Sequence, residues 1–286
     1  MRCYACDWSE VFLLVDRFRE PNLGSLRLRH FSFFIFNFGE SKVGYRAAAP
    51  FLNCLARHFP LGTRVVVFLD SRVAVWTYAI TALAAYLLGS IPTGFLVGKA
   101  RGVDIRTVGS GNIGATNALR ILGKPAGIAV LLADVLKGWL AVVLVTRGVA
   151  AAFGTQTPAN ETDPHQIVAA LCAILGHNYT CWLHFKGGKG IATTAGVLMA
   201  LVPWALVIIL SIWIVLFAVT RIVSIGSIVA SLTLPFASFL TTKNWKLTLV
   251  TGAMGALAVY KHRANIQRLL AGTEPRIGQK SEEDAQ

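Results

Sequence analysis

Lys186, Gly187, Gly188, Lys189 and Gly190 form a short basic, glycine-rich run within "HFKGGKGIAT", residues 184–193. Lysine charge, glycine amides and a helix expected to start near Ile191 are the ingredients of an anion site. Helix N-termini present N–H groups and a positive dipole end to such ligands. The run does not follow nucleotide-loop grammar. A Walker loop reads GxxxxGK[ST], but here Lys189 is followed by Gly190, and Leu183 occupies the place of the leading glycine. The magnesium-binding hydroxyl is missing, so the phosphate held here is expected to belong to a substrate rather than a nucleotide. A plain positive anchor loop is the competing reading, but it would not require Gly187, Gly188 and Gly190 together.

Two further polar islands have related chemistry. "VGSGNIGATNALR", residues 108–120, offers Ser110, Asn112, Thr116 and Asn117 as donors and acceptors. Its glycines permit positive φ and close backbone approach. Arg120 adds a planar fork suited to phosphate. "YKHRANIQRLLAGTEPR", residues 260–276, carries His262, Arg263, Asn265 and Arg268. At helical spacing His262 and Asn265 share a face; a basic amphipathic tail lying on anionic lipid is the alternative. Arg221 and Ser224 sit at a helix junction. Asp134 and Lys137, three residues apart in an apolar run, are costly in a membrane unless paired or functional. They read equally as a structural pair or a substrate contact. His177 reads equally as a ligand group or a hydrogen-bonded core histidine, and His165 and His184 are expected to have no special role.

Other chemistries lack their residues. No carboxylate pair lies among the islands, so acid/base work by Asp or Glu is not expected. The Cys3–Cys6 CxxC has no second ligand pair for zinc, and Cys172 and Cys181 are expected to be buried thiols. Neither a metal nor a cofactor is expected. An acyltransferase signature with Asp five residues after His is also missing, since Trp182 stands there after His177. What remains is a set of groups that hold phosphate. They suit a group transfer that joins an acyl chain to a phosphorylated polyol by alignment and electrostatic stabilisation. The attacking hydroxyl is expected to lose its proton to a substrate phosphate, whose second pKa is near 6; His262 is the alternative base.

The elements that carry these islands are membrane helices. Of 286 residues, 55% are hydrophobic and 14% charged, with net charge +13; soluble domains carry about 25% charged residues. A spanning helix needs about 20 apolar residues. Suitable runs are Val75–Val97, Ala126–Thr146, Gln166–Leu183, Ile191–Leu201, Pro203–Thr220, Ile225–Leu240 and Leu247–Tyr260. The expected fold is an all-α polytopic membrane protein with seven transmembrane helices, the short ones tilted or partly re-entrant. Basic residues concentrate in 98–125, in 184–190, at Arg221 and after Lys261. The positive-inside rule then places the N-terminus outside and the C-terminus in the cytoplasm. Nucleic acid is not an expected partner, because membrane-length apolar segments interrupt the charge. Residues 1–74 fit no such plan and are expected to be an atypical extension or an over-called start. The helical domain is expected over 75–278, with a polar tail over 279–286.

Three motifs in order carry a family resemblance: "GSGNIGATN" (109–117), "GHNYTCWLHFKGGKGIAT" (176–193) and "HRANIQRLLAGTE" (262–274). "GSIPTGFLVGKARGVDIR" (89–106) and "DVLKG" (134–138) add to it. The chain resembles the bacterial acyl-phosphate:glycerol-3-phosphate acyltransferases, the PlsY family, over roughly residues 75–278. The resemblance implies a multi-pass enzyme of the bacterial inner membrane with a cytoplasmic active site, catalysing the first step of phospholipid synthesis. Its reaction would move a fatty acyl group from acyl phosphate to the 1-hydroxyl of glycerol 3-phosphate, giving lysophosphatidic acid and phosphate. Membrane lipids and other phospholipid-synthesis enzymes are the further partners implied. By resemblance Arg120 and Lys189 bind phosphate, while Ser110, His262 and Asn265 orient the acceptor or polarise the acyl carbonyl. Asn112, Thr116, Asn117, Lys137, His177, Lys186, Gly187, Gly188, Ser224, Arg263 and Arg268 complete the expected substrate-binding set. Thr180 stands where the family usually has proline, which bears on the bend entering the loop.

A transporter of a phosphorylated solute is the rival from another class. It predicts basic groups on both faces and often an inverted repeat; the basic loops here fall on one side, and no repeat is evident.

Overall fold

Pro92 divides the first apolar run, which was expected to be one helix over Val75–Val97. In the computed structural model, which describes residues 60–155 and 162–277, with side chains from Val75 onward, α1 spans Pro60–Ser90 and α2 spans Thr93–Ala100. Proline lacks an amide hydrogen and disfavours the helical region for the residue before it. A break in a membrane helix must find partners for the carbonyls it frees. Ser90 O accepts from the Thr180 hydroxyl at 2.6 Å, and Ile91 O accepts from Lys137 Nζ at 2.8 Å. The hydroxyl of Thr180 is thus used to support the break.

The remaining helices follow the expected hydropathy. They are α3 (Ala115–Leu122), α4 (Lys124–Leu140), a π turn (Ala141–Val145), α5 (Thr146–Phe153), α6 (Pro164–Asn178), α7 (Ile191–Leu201), α8 (Pro203–Thr220), α9 (Val223–Thr242), α10 (Trp245–Lys261) and α11 (Arg263–Leu270). No strand occurs among the described residues. The expected stop between α7 and α8 is present, with Pro203 opening α8, where a missing amide costs nothing. Helices lie at all seven expected positions, and four segments are long and apolar enough to cross a bilayer: Val75–Ala100, Lys124–Phe153, Pro203–Thr220 and Val223–Thr242. The chain divides into two units, Met1–Leu69 and Asp70–Gln286. The second holds every side chain considered below; of the expected extension, residues 1–59 lie outside the described residues while 60–74 are helical, as the start of α1, and the tail over 279–286 lies outside them too.

Close helix approach uses glycine, as membrane packing does where lipid offers no hydrophobic drive between helices. A Cβ at Gly138 of α4 would sit 2.2 Å from Thr193 O, and one at Gly196 of α7 would sit 1.9 Å from Val135 O. The two helices therefore touch backbone to backbone, which places the start of α7 beside Lys137. Behind this contact lies a buried apolar cluster that includes Val142, Ile174, Leu198, Leu234 and Met254. On α8, by contrast, only Ala205 and Ile209 are buried, as befits a helix facing lipid.

Candidate active site

The site is assembled where α10 passes into α11. His262 stands at this junction and Asn265 lies one turn on; both are buried. Asn265 joins two charged groups. Its oxygen accepts from Lys189 Nζ at 2.5 Å, and its amide donates to Glu274 at 2.6 Å. Glu274 also accepts from the Ser224 hydroxyl and from Arg268 Nε, each at 2.7 Å. The segment after α11 is folded back to make this possible. Gly272 takes a positive φ of 69°, Thr273 N–H donates to Arg268 O, and Ile277 N–H donates to Arg221 O. Residues from the first turn of α9, α11 and the C-terminal segment thus meet at one carboxylate, and the loop before α7 joins them through Asn265.

Glu274 was not expected in this role. It is a lone acid in a basic island, beyond the end of a helix, with no periodic relation to the residues it joins. The usable signal was its isolation, as the single carboxylate in "YKHRANIQRLLAGTEPR". With three donors around it, Glu274 is a structural hub and not a free base.

The electrostatics are those of an anion site. Burial holds the Lys189 ammonium down at about 8; Glu274 opposes that shift, while Arg268, Arg120 and Lys261 reinforce it. Lys189 thus feels three further cations and the Glu274 carboxylate. Burial also lowers His262, to about 4, against a hydrogen bond to Ala258 O that favours its charged form. That bond, 2.7 Å from Nδ1, makes Nδ1 the donor and leaves Nε2 with a lone pair. For Glu274, burial would raise the pKa, but hydrogen bonds from Asn265, Ser224 and Arg268 outweigh it and the carboxyl lies below its ordinary value.

The glycines of the basic loop serve a purpose other than the one expected. Gly187 N–H donates to Asn178 O at 3.2 Å, and Gly188 N–H donates to His177 O at 3.0 Å. These amides close the C-terminal end of α6, so they are not free to hold phosphate. Close approach demands glycine here, because a Cβ at Gly188 would lie 2.2 Å from His177 Nε2. Gly190, at φ 79°, precedes α7, so Lys189 stands beside a helix N-terminus as expected. Lys186 is exposed and does not join Lys189. It lines a separate cleft of about 340 Å³ with Arg106, Gly111, Ile113, Leu183, His184 and Gly187.

In the first island the amides are spent on the loop itself. Asn117 is buried; it donates to Ile105 O and Val108 O at 3.1 and 3.2 Å and accepts from Ser110 N–H at 3.0 Å. Asn112 accepts from Gly114 N–H at 2.8 Å. Gly109 and Gly111 take positive φ. Ser110 is exposed, Thr116 half-buried and Arg120 exposed. Among the described residues no hydrogen bond joins Ser110, Asn112, Thr116 or Asn117 to the Lys189 cluster; Arg120 reaches it through charge.

Lys137 and His177 lie elsewhere, inside the helices. Lys137 pairs with Asp134 at 2.8 Å, both buried, and His177 Nδ1 stands 3.6 Å from the same carboxylate. Arg263 is exposed and lies over the Tyr260 ring, 4.8 Å from its centroid. Among the described residues no group of three or more His, Cys, Asp or Glu side chains is placed to hold a metal.

A family model described as glycerol-3-phosphate acyltransferase matches residues 79–272. The glycerol-3-phosphate acyltransferase of Thermosynechococcus vestitus is 45% identical over 198 residues, covering 69% of this chain and 93% of that one. That of Clostridioides difficile is 43% identical over 209 residues, covering 73% and 99%. Among solved structures, PlsY, an integral membrane glycerol 3-phosphate acyltransferase, in its glycerol 3-phosphate form, is 37% identical with a TM-score of 0.63, covering 70% of this chain and 96% of that one. Its lysophosphatidic acid form is 36% identical with a TM-score of 0.61, covering 70% and 95%.

Proposed function

This chain belongs to the glycerol-3-phosphate acyltransferase family, the PlsY family, and on that premise we propose that it takes its acyl group from acyl phosphate. The acceptor is the 1-hydroxyl of glycerol 3-phosphate, and the products are lysophosphatidic acid and inorganic phosphate. The observation that carries this reading is Lys189, tied through Asn265 to Glu274 and acted on by the charges of Arg268, Arg120 and Lys261. Three positive charges are left over, and a substrate phosphate dianion would offset most of them.

Lys189 and Arg120 bind phosphate in this reading, with Asn265 and Glu274 holding Lys189 in place. Ser224 and Arg268 fix Glu274. Ser110, exposed on the first island that Asn117 folds, orients the acceptor or polarises the acyl carbonyl. Asn112, Thr116, Lys137, His177, Lys186, Gly187, Gly188 and Arg263 act by shaping loops or by adding positive potential.

The proton follows from the state of the two remaining candidates. His262, lowered to about 4, is neutral near pH 7 but a weak base. Glu274 is occupied by three donors. The hydroxyl oxygen therefore attacks the acyl carbonyl carbon while its proton passes to a substrate phosphate, with a pKa near 6. The acyl carbon–oxygen bond to the donor phosphate breaks, and that phosphate leaves. His262 Nε2, with its lone pair, orients the hydroxyl.

The placement proposed is a bacterial inner membrane, with seven crossings, the N-terminus outside and the site facing the cytoplasm, as the positive-inside rule favours. Purified protein in detergent, given glycerol 3-phosphate with palmitoyl phosphate or with palmitoyl-CoA, tests the donor. Lysophosphatidic acid is expected from palmitoyl phosphate alone; equal use of the thioester contradicts the proposed donor. Turnover in detergent also separates this reading from a transporter, which has no compartments to work between there.

A further inference from the structure

Asp134 and Lys137 bring charge into the middle of a membrane helix, at 1% and 4% exposure, and neither takes part in the bond making or the proton transfer proposed above. Such charge is costly, and a well-packed apolar pair would often be no less stable. Its retention calls for a use, and the contacts suggest one. Thr93 Oγ1, from the first residue of α2, donates to Asp134 Oδ1 at 2.5 Å. Lys137 Nζ lies 2.8 Å from the same oxygen and also donates to Ile91 O, freed by the break before Pro92. His177 Nδ1 faces that oxygen at 3.6 Å and has no hydrogen-bond partner. The other edge of the His177 ring supports the basic loop, since a Cβ on Gly188 would meet Nε2 at 2.2 Å. Gly188 N–H donates to His177 O, and Lys189 is the next residue. A continuous line of contacts thus runs from the α1–α2 break through Asp134, His177 and Gly188 to Lys189.

We propose that Asp134 is a positioning residue for the Lys189 loop. It acts through the His177 ring, while Lys137 neutralises it and ties it to the α1–α2 break. The proposal rests on the reading of Lys189 as a phosphate ligand. A displaced ring would move the loop backbone and with it the ammonium group that Asn265 must meet. The first effect is on acceptor binding, with less on the chemical step.

Steady-state kinetics of glycerol 3-phosphate acylation test this with His177→Ala, Gly188→Ala, Asp134→Asn and their combinations. Gly188→Ala drives a methyl group into the ring and is expected to raise the KM for glycerol 3-phosphate by about tenfold or more, since a misplacement of about 1 Å can cost a hundredfold. Removing the ring as well, in His177→Ala/Gly188→Ala, is expected to recover part of that loss. Asp134→Asn is expected to raise KM while leaving kcat within about twofold, and to have no further effect in the His177→Ala background, because residues acting in one line are non-additive. Additive losses in both combinations would overturn the proposal. Should Asp134→Asn fail to fold, with Lys137 left unpaired, Asp134→Asn/Lys137→Met takes its place with the same expected outcomes. Lys189→Met separates the premise from the inference. An unchanged KM there removes the phosphate reading, whereas a raised KM with additive combinations removes only the positioning role.

Discussion

Lys189 Nζ donates to the side-chain oxygen of Asn265 at 2.5 Å, and the amide of the same Asn265 donates to Glu274 at 2.6 Å. One neutral side chain thus links a half-buried ammonium to a carboxylate without direct contact between them. The lysine is held but not neutralised, and its charge stays available to an incoming anion.

Asn265→Ala is expected to leave both neighbours under-satisfied. An unmet partner of a buried hydrogen bond costs about 1–3 kcal/mol. A lower melting temperature and a raised KM for glycerol 3-phosphate should appear together. Asn265→Asp, which places a second carboxylate beside Glu274, should weaken phosphate binding further. Melting curves and steady-state kinetics on purified protein check both.

Lys189 sets a pH dependence on acceptor binding. Its pKa is lowered to about 8, so it is charged below that value and loses its charge as pH rises through it. The KM for glycerol 3-phosphate should be flat near pH 7 and rise above pH 8. Lys189→Arg, whose charge persists to far higher pH, should abolish that rise even if its KM is worse throughout. A wild-type KM that is level to pH 9.5 would count against the assignment.

His262 makes the opposite prediction, an absence of titration near neutrality. Burial lowers it from 6.5 to about 4. A group whose folded pKa is depressed contributes stability that is present above its unfolded value and is lost as pH falls through the folded one. The melting temperature should therefore decline from about pH 6.5 downward, and His262→Gln should remove that part of the decline. If turnover follows the substrate phosphate instead, the acid limb of kcat/KM should persist in His262→Gln.

Much of this molecule is legible in its sequence, because membrane-length apolar runs and basic loops report directly on element positions. The stop before Pro203 and the loop ending in Gly190 come from local rules. Three features do not. Hydropathy averaged over 20 residues passes over Pro92 and so does not reveal the break between α1 and α2. Glycine spacing says that a backbone comes close to something, but not whether that partner is a ligand or the end of α6; Gly187 and Gly188 prove to meet His177 and Asn178. Glu274 owes its place to a folded-back segment, and no period in the sequence connects it to Asn265 or Ser224.

Glu274→Gln should separate the hub from the chemistry. The carboxylate lies below its ordinary pKa because three hydrogen bonds outweigh burial. Its stabilising contribution is therefore present above the ordinary carboxylate range and lost as pH falls through it. Glu274→Gln should lower the melting temperature at pH 7 and flatten the acid loss below pH 4.5. Ser224→Ala, which removes one donor of the three, should give a smaller change in the same direction.

The central claim is that the phosphate held by the Lys189 cluster is the acceptor's own and serves the proton transfer as well as binding. Turnover of palmitoyl phosphate by the purified protein, with saturating glycerol in place of glycerol 3-phosphate, tests it most directly. A positioned general base contributes about a hundredfold or more. With glycerol, kcat is therefore expected to fall by at least that factor, even at saturation. Glycerol acylated at the full rate would contradict it.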